Sequence, residues 1–311
     1  MVKRRFPKPR KKEINQEEIK LFFKTIDFEP NKIFQEWRHL LAFGKYQGKA
    51  SVFKLASTQK TSKYTQNEYK WNDAVCSVPE YEHPNFIVPA NYSKGNYGKL
   101  FYFIEQFFEG GSLINRNSND LSKISPKIEQ IAKAVSEIIK LPIHKNSEFA
   151  KSKSNNKKSI GERLLNSTLE WASQVPINLD NFLNIIDKNK NNLRTGIAHG
   201  DFVPRQLFDV NGKIGVIDGE HAGYKGPLYY DAAWFYLRLR IDHNGRDLAK
   251  QFLIDFKNLL SREDQETFWE ELKPVLIQRY IGELWGSKNN PKVLGERSII
   301  GKAILGDKIV S

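Results

Sequence analysis

Asp201, Gln206, Asp218 and Glu220 are oxygen-bearing side chains set around two short apolar runs, Gln206 to Val210 and Lys213 to Ile217. Asn211-Gly212 joins the runs and supplies the positive φ values that a two-residue hairpin turn needs. Folded back on itself, such a hairpin brings Asp201 and Asp218 towards each other, with Glu220 close behind. Two or three carboxylates and an amide converging on one point suit a hard cation such as Mg²⁺, which takes oxygen ligands and commonly bridges to phosphates.

His199-Gly-Asp-Phe-Val-Pro-Arg-Gln206, followed by Val216-Ile-Asp-Gly-Glu220, resembles the catalytic signature of the aminoglycoside phosphotransferase and choline kinase-like family. The resemblance implies a small-molecule kinase with a bilobal protein-kinase-like α+β fold, an antiparallel β-rich N-lobe and a mainly helical C-lobe. It implies Asp201 as the base that accepts the acceptor hydroxyl's proton and Asp218 as a Mg²⁺ ligand. His199 becomes structural rather than catalytic. The family has Asn where this chain has Gln206. Glutamine offers the same carbonyl one methylene further out, and Glu220 is available as a further oxygen ligand.

These residues need elements to position them. Ser51 to Ala56 reads as a strand, and Lys54 within it is unusual unless its charge is used. Thr65 to Cys76 reads as a helix carrying Glu68. The resemblance makes Lys54 the contact to the donor's phosphates and Glu68 the residue that orients it. Leu100 to Leu113 resembles the last N-lobe strand and hinge, where the backbone of Glu105, Gln106 and Phe107 would bond the nucleobase edge. Trp37 to Phe43 is expected as a strand. Asn85 to Asn91 is expected to pair with Lys99 to Phe107 through a turn at Ser93 to Gly98. No Gly-rich phosphate-covering loop is evident: Gly44 and Gly48 sit where a hairpin turn belongs, and Asp27 to Glu36 is the candidate for that loop. Gln16 to Lys24 is open between helix and edge strand.

Beyond Gly110-Gly111 the pattern turns helical, with Pro126 to Leu141, Ser159 to Trp171, Leu179 to Lys188, Ala232 to Arg240, Ala249 to Leu260, Glu263 to Trp285 and Arg297 to Leu305. Asp231 is expected to cap the helix that follows it. The expected organisation is a basic tail over 1–15, a nucleotide-binding lobe over 16–110, and a catalytic and acceptor-binding lobe over 111–311. The resemblance spans roughly 35–285, with its specific motifs in 102–113 and 197–234.

The chain has 311 residues, 40% hydrophobic and 27% charged, with a net charge of +13. That is the composition of a globular protein and not of a disordered one. From Asp201 onward 16 Lys and Arg face 16 Asp and Glu, so the basic excess lies in the first 200 residues. It concentrates in 1–20 and in the Lys- and Ser-rich stretch 140–160, which read as solvated tail and loop. No zinc-finger, RNP-like or helix-turn-helix pattern accompanies the charge, so nucleic acid is not the expected partner. A lone Cys76 excludes an internal disulfide and any cysteine-rich metal site. With no apolar run long enough to span a bilayer, the expected setting is cytoplasmic. The function expected is an ATP- or GTP-dependent, Mg²⁺-requiring transfer of the γ-phosphoryl group to a hydroxyl of a small molecule. The alternatives are a sugar or other metabolite kinase of the same fold, or a degenerate kinase fold that binds nucleotide, RNA or protein without turnover.

Overall fold

The computed structural model describes residues 13–114, 118–151 and 158–309. The basic tail up to residue 12 and residues 152–157 of the Lys- and Ser-rich stretch lie outside the described residues. Helix α1 (Gln16–Thr25) starts where the Asn15 side chain accepts from the amides of Glu17 and Glu18. This resolves the choice between helix and edge strand. Ile19 and Phe23 of α1 are buried against Phe28, Phe53 and Tyr102, forming the small apolar core of the first lobe.

Strands β1 (Phe28–Glu36), β2 (His39–Tyr46) and β3 (Lys49–Ala56) follow as antiparallel neighbours. Pro30 lies at a bulge in β1, an edge strand, where its missing N–H is tolerated. Gly44 faces that bulge, and a Cβ there would stand 2.0 Å from the Glu29 carbonyl oxygen. The strand expected from Trp37 begins two residues later. Trp37 has φ 53° and, with Arg38, turns the chain between β1 and β2. The β2–β3 turn is Gln47-Gly48, and both residues have positive φ.

Helix α2 (Gln59–Cys76) is capped by Thr58, whose hydroxyl accepts from the Thr61 amide. Strand β4 (Phe86–Ile87) corrects one expectation. Instead of joining the first sheet, it pairs in parallel with a strand of the catalytic hairpin, and Phe86 and Val88 are buried in the large core of the second lobe. The partner of β6 (Leu100–Gln106) is β5 (Asn91–Tyr97), and Gly98 makes the turn between them. The polar sequence of β5 reads as a turn, but β5 is an edge strand, where side chains need not be apolar. The five-stranded sheet runs β1-β2-β3-β6-β5.

The second lobe continues with α3 (Ile128–Lys140), the short α4 (Glu148–Lys151), α5 (Ile160–Ala172) and α6 (Asp180–Asn189). Helix α5 opens with a reciprocal capping box between Ser159 and Glu162. Strands β7 (Thr195–Ala198), β8 (Leu207–Val210), β9 (Lys213–Val216) and β10 (Gly223–Pro227) follow, with β10 on β7 and β4-β9-β8 in one small sheet. Helices α7 (Tyr230–Asp242), α8 (Arg246–Asn258), α9 (Arg262–Gly286) and α10 (Pro291–Leu305) complete the lobe. Its core is the larger of the two and takes in Trp71, Ala74 and Val75 of α2. Thus α2 lies under the first sheet yet sinks its apolar face into the second lobe. No helix among the described residues is long and apolar enough to cross a membrane.

Candidate active site

Asn211 and Gly212, with φ 52° and 82°, turn β8 into β9 as their sequence requires. Gln206 lies just before β8 in a single 3₁₀ turn, Pro204–Gln206, and Asp218 lies two residues past β9. Antiparallel pairing of the strands therefore sets the two side by side. The Gln206 amide nitrogen donates to Asp218 Oδ2 at 2.8 Å and to Asp201 Oδ2 at 3.0 Å. Its own oxygen, Oε1, is buried without a hydrogen-bond partner. The nitrogen thus faces both aspartates, and turning the amide over would present Oε1 to a cation beside them.

Lys54 reaches the same point from β3. Its Nζ stands 2.5 Å from Glu68 Oε2 on α2 and 2.8 Å from Asp218 Oδ1. Burial disfavours the ammonium, but Asp218 and Glu68 outweigh it and hold the Lys54 pKa well above its ordinary value. Burial likewise works against the charge on Asp218, and Lys54 overcomes it, holding that carboxyl well below the usual range. Glu68 is pushed up by burial, with Lys54 opposing. The Lys54–Asp218 pair keeps its charges because each group has the other at hydrogen-bond distance.

Backbone geometry holds Asp218 in place. It adopts φ 68° and ψ 46°, a left-handed conformation that costs a non-glycine residue about 1–2 kcal/mol. Gly219 follows because a Cβ there would stand 2.2 Å from the Trp71 ring. Asn67, one residue before Glu68 on α2, donates to the carbonyls of Glu220 and Ala222 at 3.1 and 2.9 Å. One helix therefore orients Lys54 through Glu68 and clamps the turn after Asp218 through Asn67.

Asp201 is held from the opposite side. Trp234 Nε1 on α7 donates to Asp201 Oδ1 at 2.9 Å, and Arg205 comes within 3.6 Å of Oδ2. Asp231 does not cap its own helix as expected. Its carboxylate instead accepts the amides of His199 at 2.6 Å and Gly200 at 2.9 Å, fixing the loop that carries Asp201. Burial pushes the Asp231 pKa up to about 7, with those two amides opposing. His199 is fully buried, edge-on to Trp71 and Phe202, and burial lowers its pKa to about 4.

Glu220 has no hydrogen bond to Asp218 or Gln206, and its Oε2 is buried without a hydrogen-bond partner. It pairs with Arg38 of the β1–β2 turn, near His221 Nε2 at 3.4 Å and His39 Nε2 at 4.0 Å. Among the described residues no three His, Cys, Asp or Glu side chains gather as a metal site. The candidate for the covering loop, Asp27 to Glu36, is largely β1, and the turn that follows it is Trp37-Arg38. At the hinge, the Gln106 amide donates to Ala90 and that of Phe107 to Ala50, so neither N–H is left for a base. Glu105 is buried, accepts from Asn72 at 2.9 Å, and is raised by burial to about 7.

Sequence reasoning passed over Trp234, Asn67, Arg38 and Asn72. Two of them carried a signal: Trp234 lies three residues after Asp231, and Asn67 lies beside Glu68 on the helix face that must turn inward.

No protein-family profile matches the chain, and no curated protein matches it in sequence. Solved structures match it in fold. Aminoglycoside phosphotransferase APH(4)-Ia, in a ternary complex with ADP and hygromycin B, aligns with a TM-score of 0.63 and 14% identity over 92% of this chain and 97% of that one. APH(2″)-IIIa with GDP and kanamycin aligns with a TM-score of 0.60 and 14% identity over 93% and 99% of the two chains. The GDP complex of aminoglycoside 2′-phosphotransferase-IIIa aligns at 0.62 and 13% identity over 94% and 99%. The chain has the bilobal, protein-kinase-like α+β fold of the aminoglycoside phosphotransferases.

Proposed function

We propose that this protein is an ATP- or GTP-dependent phosphotransferase that moves the γ-phosphoryl group to a hydroxyl of a small molecule. The observation that carries the reading is the unbroken chain Glu68–Lys54–Asp218–Gln206–Asp201–Trp234, each contact at hydrogen-bond distance. Such a chain gathers a cation, two acidic groups and an amide around one point, which supports a reading of in-line transfer between oxygens.

In this reading Lys54 turns from Asp218 to the donor's phosphates and offsets their charge. Asp218 would hold Mg²⁺ together with the Gln206 oxygen once that amide turns over, and the ion would supply charge neutralisation on the transferring group. Asp201, aimed by Trp234, accepts the proton of the attacking hydroxyl. Since the amides of Gln106 and Phe107 are engaged in the sheet, those two residues can meet the base edge only through their carbonyls.

Asp201→Asn tests the proposal. Losing the base should lower transfer by roughly 10²–10⁴-fold while nucleotide affinity stays nearly unchanged. Full turnover in that variant would sink the assignment. A second reading, binding without turnover, draws on Asp218, both of whose oxygens accept from protein donors. Nucleotide binding that is indifferent to a chelator would favour it.

A further inference from the structure

The wall beside Asp201 has a charge that says what the acceptor carries. Trp234, the residue that holds Asp201, lies between two guanidinium groups. The Cζ of Arg238 is 3.8 Å from its ring centroid and that of Arg279 is 3.6 Å away, distances that put the two on opposite faces. They differ in what they do. Arg238 is buried and neutralised, pairing with Asp242 at 3.2 Å and with Glu283. Arg279 of α9 has no carboxylate within 4 Å among the described residues. It donates Nη1 to the Tyr230 hydroxyl at 2.8 Å, its Nε is buried with no partner, and its Nη2 has none in the protein.

The faces of Trp171, Tyr230 and Trp234 hold this half-buried guanidinium, but among the described residues no carboxylate within 4 Å balances its charge. The carboxylates that could balance it are committed elsewhere. Asp231 holds the His199 and Gly200 amides, Asp242 is taken by Arg238, and Glu283, one turn along α9, pairs with Arg238 and Arg297. Arg205, 3.6 Å from Asp201, adds a second cation on the same approach. Among the described residues a polycationic amino sugar would meet two guanidinium groups here, and the carboxylate at hand is Asp201 itself.

We infer that the acceptor is a hydroxyl compound bearing its own anionic group, a carboxylate or a phosphate, which Arg279 binds while the hydroxyl faces Asp201. The planar fork of a guanidinium matches either oxyanion. The inference rests on the phosphotransferase reading above and narrows its acceptor class.

The test titrates wild-type protein, saturated with Mg²⁺ and a non-hydrolysable nucleoside triphosphate, with hydroxycarboxylates and sugar monophosphates, their neutral parent alcohols, and kanamycin. A hydrogen-bonded charge pair predicts roughly tenfold tighter binding of anionic members in at least one series. Arg279→Gln should erase that preference and Arg279→Lys should restore part of it, with nucleotide affinity unchanged in both as evidence of an intact fold. Neutral parents or kanamycin binding as tightly as every anionic member would overturn the inference. So would an anionic preference that survives Arg279→Gln. Absence of Mg²⁺-dependent nucleotide binding in the wild type would instead overturn the phosphotransferase reading and this inference with it. Carboxylates and phosphates are told apart by which series shows the preference.

Discussion

Trp234 donates its indole N–H to Asp201 across 2.9 Å, so the residue assigned as base is aimed by a helix that begins beside the loop's other anchor, Asp231. Trp234→Phe keeps most of the ring packing between Arg238 and Arg279 and removes only the donor. A hydrogen bond to a charged group contributes about 1.5–3 kcal/mol, so kcat should fall roughly 10–100-fold. Nucleotide affinity should hold. Steady-state kinetics with a fixed acceptor decides it, and an unchanged kcat would make Trp234 a packing residue only.

Gln206 bridges Asp201 and Asp218 through its nitrogen and leaves its oxygen unsatisfied. Gln206→Ala should weaken the Mg²⁺ dependence of turnover by about tenfold, since octahedral Mg²⁺ tolerates little displacement of its ligands. Gln206→Asn should be tolerated better. If Gln206→Ala leaves the Mg²⁺ titration unmoved, the amide is a spacer between the aspartates.

Arg38 and Glu220 pair across the mouth of the cleft, with the guanidinium 5.0 Å from the Tyr64 ring centroid. The pair makes opposite predictions for two roles of Glu220. As Arg38's partner, Glu220→Gln frees the guanidinium for the donor's phosphates, and triphosphate affinity should rise a few-fold. As a metal ligand, the same change should weaken Mg²⁺-dependent binding. Arg38→Gln should weaken triphosphate binding about tenfold and leave the bare nucleoside unaffected. Calorimetric titrations with both ligands separate these outcomes.

His199 is buried with its pKa lowered by desolvation from 6.5 to about 4. The unfolded chain therefore binds a proton at pH values where the folded chain does not. Its stability contribution is fully present above 6.5 and is lost as pH falls towards 4, a loss of about 3 kcal/mol from this group. Denaturant unfolding at pH 7 and pH 4 should show a shallower loss in His199→Phe than in wild type. Equal slopes would mean that His199 does not titrate differently on unfolding.

The amino-acid sequence by itself determined the hairpin around Asn211-Gly212, because the φ demands of a two-residue turn are local. It also located the helices of the second lobe, where apolar spacing is strong, and put Lys54, Glu68, Asp201, Gln206 and Asp218 on one list. Local signals misled where a segment's partner lay far away in the chain. Phe86 reads as a strand residue, but only the fold decides that it pairs with Ile214 and not with β6. Ser93 to Gly98 reads as a turn, but all of it up to Tyr97 belongs to a strand because it lies at an edge.

Tertiary structure alone decided the partners of the charged groups. Glu220 is two residues from Asp218 in sequence, yet the left-handed turn at Asp218 sends it to Arg38, 182 residues away. Asp231 looks like a helix cap, but the packing of α7 beneath the loop gives its carboxylate to His199 and Gly200. Arg238 and Arg279 are both arginines beside one tryptophan, and only the packing of α7 against α9 gives Arg238 the Glu283 carboxylate. A side chain's charge is written in the sequence, whereas its counter-charge depends on which distant segments the core brings within a few ångströms.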